Sequence, residues 1–165
     1  EGVPTELVRG RIVERNRPHT SHGFYVNRIA YLITQFVEAR DLGRVVVGDA
    51  GLVTQRNPDT VRGPDVAYYS YQRIPRGPLP DEYWPASPEL VFEVRSQGDR
   101  WKDIVVKVGE YLSAEVLTVV VIDPVSRRVH VYSADNETTI LAMTDTLAFP
   151  DILAGFAVVV RQLFD

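Results

Sequence analysis

At 165 residues, with 45% hydrophobic and 24% charged side chains, the chain is the right size for a single domain, residues 1–165, with a sizeable core. Cysteine is absent, which excludes disulfides, thiol catalysis and zinc–thiolate sites, and no apolar run approaches the ~20 residues of a membrane span, so no membrane partner and a cytoplasmic location are expected. The net charge of −4 argues against a generally sticky binder of polyanions, but not against a site that recruits a metal first and phosphate second.

ELVRGRIVER reads as a hairpin with Gly10 near the turn. From Ser21 to Ala39, Tyr25, Ile29, Leu32, Ile33 and Phe36 recur at helical spacing, with Ser21 as the expected N-cap and Gly43 as the stop. RVVVGDAGLVTQ reads as one or two strands broken at Asp49–Gly51, QRNPDT as a turn and DVAYYSY as a strand. Five prolines between Ile74 and Pro88 make that stretch an extended loop, ordered by Tyr83 and Trp84. PELVFEVRS, apolar on both faces, is a central strand.

A second helix is expected from about Asp99 to Ser113, with the stripe Trp101, Ile104, Val105, Val108, Tyr111 and Leu112. LTVVVID is another central strand, and VHVYS and TTILAM continue as a meander. The C-terminal TLAFPDILAGFAVVVRQLFD closes the fold with a strand and a short turn; its run FAVVVRQLF reads as a core strand, with a homodimer interface as the alternative. Together the order implies an α/β protein: a mixed sheet flanked by helices.

Against this background Glu93 stands out, a carboxylate inside an apolar strand and therefore costly to bury without a cation. The alternative reading is a buried Glu–Arg pair, with Arg95 or another Arg as the partner. Asp65 opens a second strand after Pro64, where a backbone-capping Asp is the commoner explanation. Sixteen of the eighteen basic residues are Arg; both lysines, Lys102 and Lys107, fall on the helix that follows Glu93. Lys107 lies on the flank of that helix's stripe, beside Ile104 and Tyr111, where it either bends over the sheet or stays in solvent. Two carboxylates on neighbouring strands and a nearby lysine are the parts needed to hold a divalent metal and activate water. Glu6 opens the first hairpin strand and His22 falls on the apolar stripe in the first turn of the first helix; an exposed strand Glu and a satisfied buried His are their alternatives. Other chemistries lack parts: there is no phosphate-binding Gly-rich loop, no G-x-S-x-G elbow and no H-E-x-x-H.

Taken in order, ELVRGRIVE, His22, GPDVAYYS, PELVFEVRS, KVGEY at Lys107–Tyr111, VVVIDPVSRRVHVY and TLAFPDILAGFAV resemble the Uma-type family of endonucleases in the PD-(D/E)XK restriction-endonuclease-like superfamily. The resemblance spans about Thr5 to Phe164. It implies a restriction-endonuclease-like mixed β-sheet with helices on both sides, an N-terminal hairpin and a C-terminal meander. It also implies a Mg²⁺ (or Mn²⁺) site on Asp65 and Glu93, with Lys107 as the basic partner, and hydrolysis of nucleic acid, DNA being the expected polymer. Glu6 and His22 match accessory positions, Glu6 for a second metal or its waters and His22 for phosphate.

One departure matters. Where the superfamily's strand motif has lysine this chain has Arg95, which stays protonated and can bind phosphate but not act as a base. Arg9, Arg11, Arg15 and Arg17 offer a basic rim for the nucleic-acid backbone, with solvated strand ends as the alternative. A binding or regulatory domain that keeps the fold without turnover, and an accessory nuclease acting only within a larger complex, remain open beside the endonuclease reading.

Overall fold

The computed structural model describes residues 3–79 and 81–165. Its centre is a six-stranded sheet. Two strands in the middle run parallel, β7 (Leu90–Val94) and β8 (Thr118–Asp123), joined by helix α2 (Trp101–Ser113). β9 (Arg128–Ser133) and β10 (Thr139–Leu141) extend one side as an antiparallel meander; β6 (Val66–Ser70) and β3 (Gly43–Val47) extend the other.

The strand period of two decides which helix each residue meets. Leu90, Phe92 and Val94 join Val66, Tyr68, Val120 and Ile122 on one face, which packs against Ile29, Ile33 and Val37 of helix α1 (Thr20–Ala39). Val91, Val119 and Val121 lie on the other face, under Val108 and Tyr111 of α2. Both faces of β7 are therefore covered, as its unbroken apolar run implies.

The N-terminal hairpin, β1 (Thr5–Val8) and β2 (Arg11–Glu14), forms as expected but does not stand alone. It joins β5 (Thr60–Arg62) and β4 (Leu52–Gln55) in a four-stranded sheet. β3 and β4, read as one or two strands broken at Asp49–Gly51, thus belong to different sheets, and the break at Gly48 and Asp49, both at positive φ, is where the chain changes sheet. The short β5 was hidden in sequence by the turn before it.

Several expectations need correction. α1 starts at Thr20 with His19 in the N-cap position and no side-chain cap, so Ser21 lies inside the first turn. Gly43 is not the helix stop. It begins β3 where the backbone of Tyr69 and Ser70 leaves no room for a side chain: an added Cβ would come within 2.1 Å of the Tyr69 carbonyl oxygen. The stop is at Arg40, and Asp41 takes the positive φ.

The buried face of α2 is rotated toward Lys107, which is buried with Val108 and Tyr111, while Val105 is 51% exposed. The C-terminal segment forms two strands, β11 (Thr146–Phe149) and β12 (Leu153–Val159), followed by a 3-10 turn at Val160–Leu163. Phe156, Val158, Val160, Leu163 and Phe164 are buried in the α1-side core, so the apolar run serves the core of the chain itself. Among the described residues no helix is long and apolar enough to cross a membrane.

Candidate active site

Strand register brings the two carboxylates together. β6 and β7 pair Val66 with Phe92 and Ala67 with Val91; one further step sets Asp65 across from Glu93. Directly opposed residues on one face hold their Cβ atoms about 5 Å apart. Asp65 closes the end of the ladder with its side chain, accepting the Val94 backbone N–H at Oδ2 (2.6 Å). The same oxygen lies 3.2 Å from His22 Nε2. His22 reaches it because it sits on the same helical face as Ile29 and Ile33, about two to three turns earlier, past the end of the apolar packing. The hydrogen bond to Asp65 raises the His22 pKa against the opposing effect of burial.

Glu93 is one step beyond Val91 on the α2 face, so it meets α2 instead of solvent. Its Oε1 accepts from Lys107 Nζ (2.9 Å) and from the Tyr111 hydroxyl (2.7 Å), groups one helical turn apart. Lys107 also lies 3.1 Å from Glu6 Oε1 and donates to the Gly63 carbonyl (3.3 Å). Burial opposes the charge on Lys107, but Glu93 and Glu6 outweigh it and hold the pKa above the ordinary lysine value. For Glu93 the balance falls the other way. Burial, reinforced by the charge on Asp65, pushes its carboxyl up to about 7 in spite of Lys107 and Tyr111. Burial and Asp65 likewise raise Asp49, in the loop between β3 and β4.

Glu6 is buried at the centre of a network. Its Oε2 receives Arg62 (2.9 Å), its Oε1 the Gly63 N–H (3.2 Å), and Arg15 stands 3.9 Å away. Burial pushes the Glu6 carboxyl up, but Lys107, Arg15 and Arg62 together bring it below the usual value. Arg62 turns its Nε to Glu110 of α2 at 2.6 Å, tying the small sheet to the helix that carries Lys107. Both Glu6 oxygens are thus held by cations or N–H groups, an arrangement suited to fixing Lys107 and unsuited to a second metal.

These groups floor a cleft of about 710 Å³, walled by the hairpin, the segment leading into α1, the Asp49 loop and Tyr83. A second cleft of about 540 Å³ adjoins it, and Glu93 and Lys107 line both.

Asp65, Glu93, Lys107, Glu6 and His22 therefore converge. The arginines divide. Arg15 and Arg17 line the main cleft; Arg9 and Arg11, at the hairpin turn, do not. Arg95 lines the second cleft, yet its guanidinium is engaged by Asp123 (3.1 Å) and the Asp99 carbonyl (3.2 Å) and lies over the Trp101 ring. It is not paired with Glu93, so the buried Glu93–Arg95 alternative does not hold. Sequence reading missed Arg62, Gly63, Glu110 and the polar role of Tyr111. The segment Arg62–Asp65 carries the signal in hindsight. Gly63 has no side chain because a Cβ would meet Asp49 at 2.9 Å, and its amide and carbonyl serve Glu6 and Lys107.

The fold and this constellation define a restriction-endonuclease-like α/β protein. Over residues 1–161 the chain matches the Uma2 family model, described as "Putative restriction endonuclease", and it belongs to that family. A solved structure from Anabaena variabilis ATCC 29413, titled a "putative nuclease belonging to DUF820", superposes with a TM-score of 0.86 at 19% identity, covering 97% of this chain and 89% of that one. At that identity the likeness is one of fold. No curated protein matches the chain.

Proposed function

We propose that the protein is a metal-dependent endonuclease that hydrolyses phosphodiester bonds in nucleic acid, with DNA as the expected polymer. One observation carries this reading: Asp65, Glu93 and Lys107, from two strands and a helix, meet on the floor of an open cleft.

The donor set fits a hard divalent cation. Among the described residues no group of three or more His, Asp or Glu is arranged to hold a metal. Mg²⁺ does not require one, because it keeps several waters and is commonly held by one or two carboxylates. Asp65 and Glu93 supply those two carboxylates. In each, one oxygen is held by the protein's own donors, and the other has no protein donor among the described residues. Two opposed carboxylates, one of them with its pKa pushed up, leave excess negative charge that a cation relieves.

A bound Mg²⁺ or Mn²⁺ supplies Lewis-acid polarisation of the phosphodiester and a more acidic water. The chain's own residues do the rest. Lys107, whose pKa Glu93 and Glu6 raise against burial, would as an ammonium stabilise the negative charge that develops on phosphorus oxygens. Glu6 and the Gly63 carbonyl fix that ammonium beside Glu93. His22 and the Val94 N–H hold Asp65 Oδ2, which leaves Oδ1 to face the ligand. Arg17 and Arg15 offer charge to the backbone at the rim.

The test is cleavage of labelled DNA and RNA with Mg²⁺, Mn²⁺ or EDTA, comparing wild type with Glu93→Gln. Metal-dependent cutting by the wild type alone supports the proposal. A second reading, a domain that keeps the fold and binds without turnover, is favoured by the lack of a three-ligand group among the described residues. It predicts no cutting under any of these conditions.

A further inference from the structure

The main cleft carries a feature that phosphate chemistry does not require. Tyr83, in the proline-rich segment after β6, lines it while remaining 61% exposed. Its ring is seated on Gly51: a Cβ at residue 51 would lie 2.5 Å from the ring carbon Cε1 and 3.1 Å from Val61. Neighbouring Trp84 turns inward and packs edge-on against Tyr69, centroids 4.7 Å apart, which anchors the segment from behind. An aromatic ring is thus held at the wall of the site that carries the carboxylates, one side backed by bare backbone and the rest largely exposed. Burial does not explain that position, and no hydrogen bond from its hydroxyl to another described residue does.

The dimensions narrow the ligand. At about 710 Å³ the cleft has the volume of a small-molecule site. A duplex does not enter such a space; a nucleotide or two of an unpaired strand does. The second cleft shares Glu93, Lys107 and Arg15 with the first, so space adjoins the site beyond the main cleft. Proteins that hold single strands combine a charged track for the backbone with aromatic platforms for the bases. Arg15 and Arg17 supply the first and Tyr83 the second.

We propose that the site receives single-stranded nucleic acid, with one unpaired base stacked on Tyr83 and Gly51 kept free of a side chain to seat that ring. The inference rests on the site being a nucleic-acid site, but not on turnover. Binding is measured by fluorescence anisotropy with a short labelled DNA strand, its RNA equivalent and the blunt DNA duplex. Ca²⁺ replaces Mg²⁺ to suppress cleavage.

The expected result is at least tenfold tighter binding of a single strand than of the duplex. Tyr83→Ala loses roughly 5- to 150-fold in single-strand affinity, the worth of one stacked base, and Tyr83→Trp retains it. Gly51→Ala, which displaces the ring, loses affinity in the wild type but adds nothing to Tyr83→Ala. Equal or tighter duplex binding, no binding of either strand, or a Tyr83→Ala protein that binds like wild type overturns the inference. Tyr83-dependent binding of a strand that is never cut with Mg²⁺ or Mn²⁺ supports it while refuting the hydrolytic reading. Duplex-only cutting that is indifferent to Tyr83 does the reverse.

Discussion

Glu93→Gln should make the metal-free protein more stable, and only at higher pH. In the unfolded chain the Glu93 carboxyl titrates near 4.5; in the fold it is pushed up to about 7. A group whose folded pKa is raised contributes its full stability below the unfolded value and loses it as pH climbs to the folded one. Between pH 4.5 and 8 the native state must therefore bear the cost of ionising Glu93 beside Asp65. At about 1.4 kcal/mol for each pKa unit, that cost reaches roughly 3 kcal/mol. Glutamine has the shape of the neutral carboxyl and no proton to lose. Lys107 loses Glu93 as a partner in the variant but keeps Glu6.

Urea unfolding in EDTA, followed by circular dichroism at several pH values, gives both stabilities. The difference between variant and wild type should widen by about 3 kcal/mol in the variant's favour from pH 4.5 to 8. Mg²⁺ added at pH 8 should stabilise the wild type and leave the variant unchanged. Parallel stability curves across the pH range would refute the account of Glu93, and Mg²⁺ stabilising both proteins equally would place the ion elsewhere.

Asp65→Ala should lower cleavage by orders of magnitude while circular dichroism shows the fold intact; full activity would remove Asp65 from the site. Arg62→Met leaves Glu6 and Glu110 facing each other without their shared cation, and should cost about 3–5 kcal/mol in urea unfolding, because breaking a buried pair strands its partners. Phe92→Ala, at a fully buried position between α1 and β11, should cost about 3–5 kcal/mol by the same measurement. Val105→Ser, on the exposed side of α2, should change stability by no more than about 0.5 kcal/mol, whereas the sequence stripe alone would have forecast a core loss.

What the sequence made legible was whatever one element encodes by itself. Period-two alternation in β7 places Glu93 on the face opposite Phe92, and helical spacing in α1 places His22 in line with Ile29, with no knowledge of the rest of the chain. The misreadings all arise between elements. Hydrophobicity alone centres the α2 stripe nearer Val105. The helix instead turns toward Lys107, because Glu93 on one sheet and Glu6 on the other both offer it a carboxylate. That second sheet was illegible, since β5 is three residues long and its pairing with β1 joins Leu7 to Val61, far apart along the chain. With β5 unseen, Arg62 had no place, Glu6 had no buried partner, and Tyr111 read as one more apolar residue of the stripe. Arg9 and Arg11 were grouped with Arg15 and Arg17 by proximity in sequence, but the hairpin turn carries the first two away from the cleft.

The charge balance of the cleft favours a particular order of binding. Its carboxylates outnumber its Arg and Lys side chains, and the two innermost cations, Arg62 and Lys107, are already held by Glu6, Glu93 and Glu110. A polyanion approaching the metal-free protein meets net repulsion at the floor and attraction at the rim from Arg17 and from Arg15, itself 3.9 Å from Glu6. On the proposed reading, a divalent cation held by Asp65 and Glu93 would offset that excess and satisfy the carboxylate whose ionisation the fold resists, with Lys107 already beside Glu93. Nucleic-acid affinity should therefore depend steeply on divalent ion and only shallowly on monovalent salt, since few phosphates are neutralised by side chains. On that reading a chain of net charge −4 can act on a polyanion, because the attraction would be supplied at one point by the metal and not by the surface as a whole.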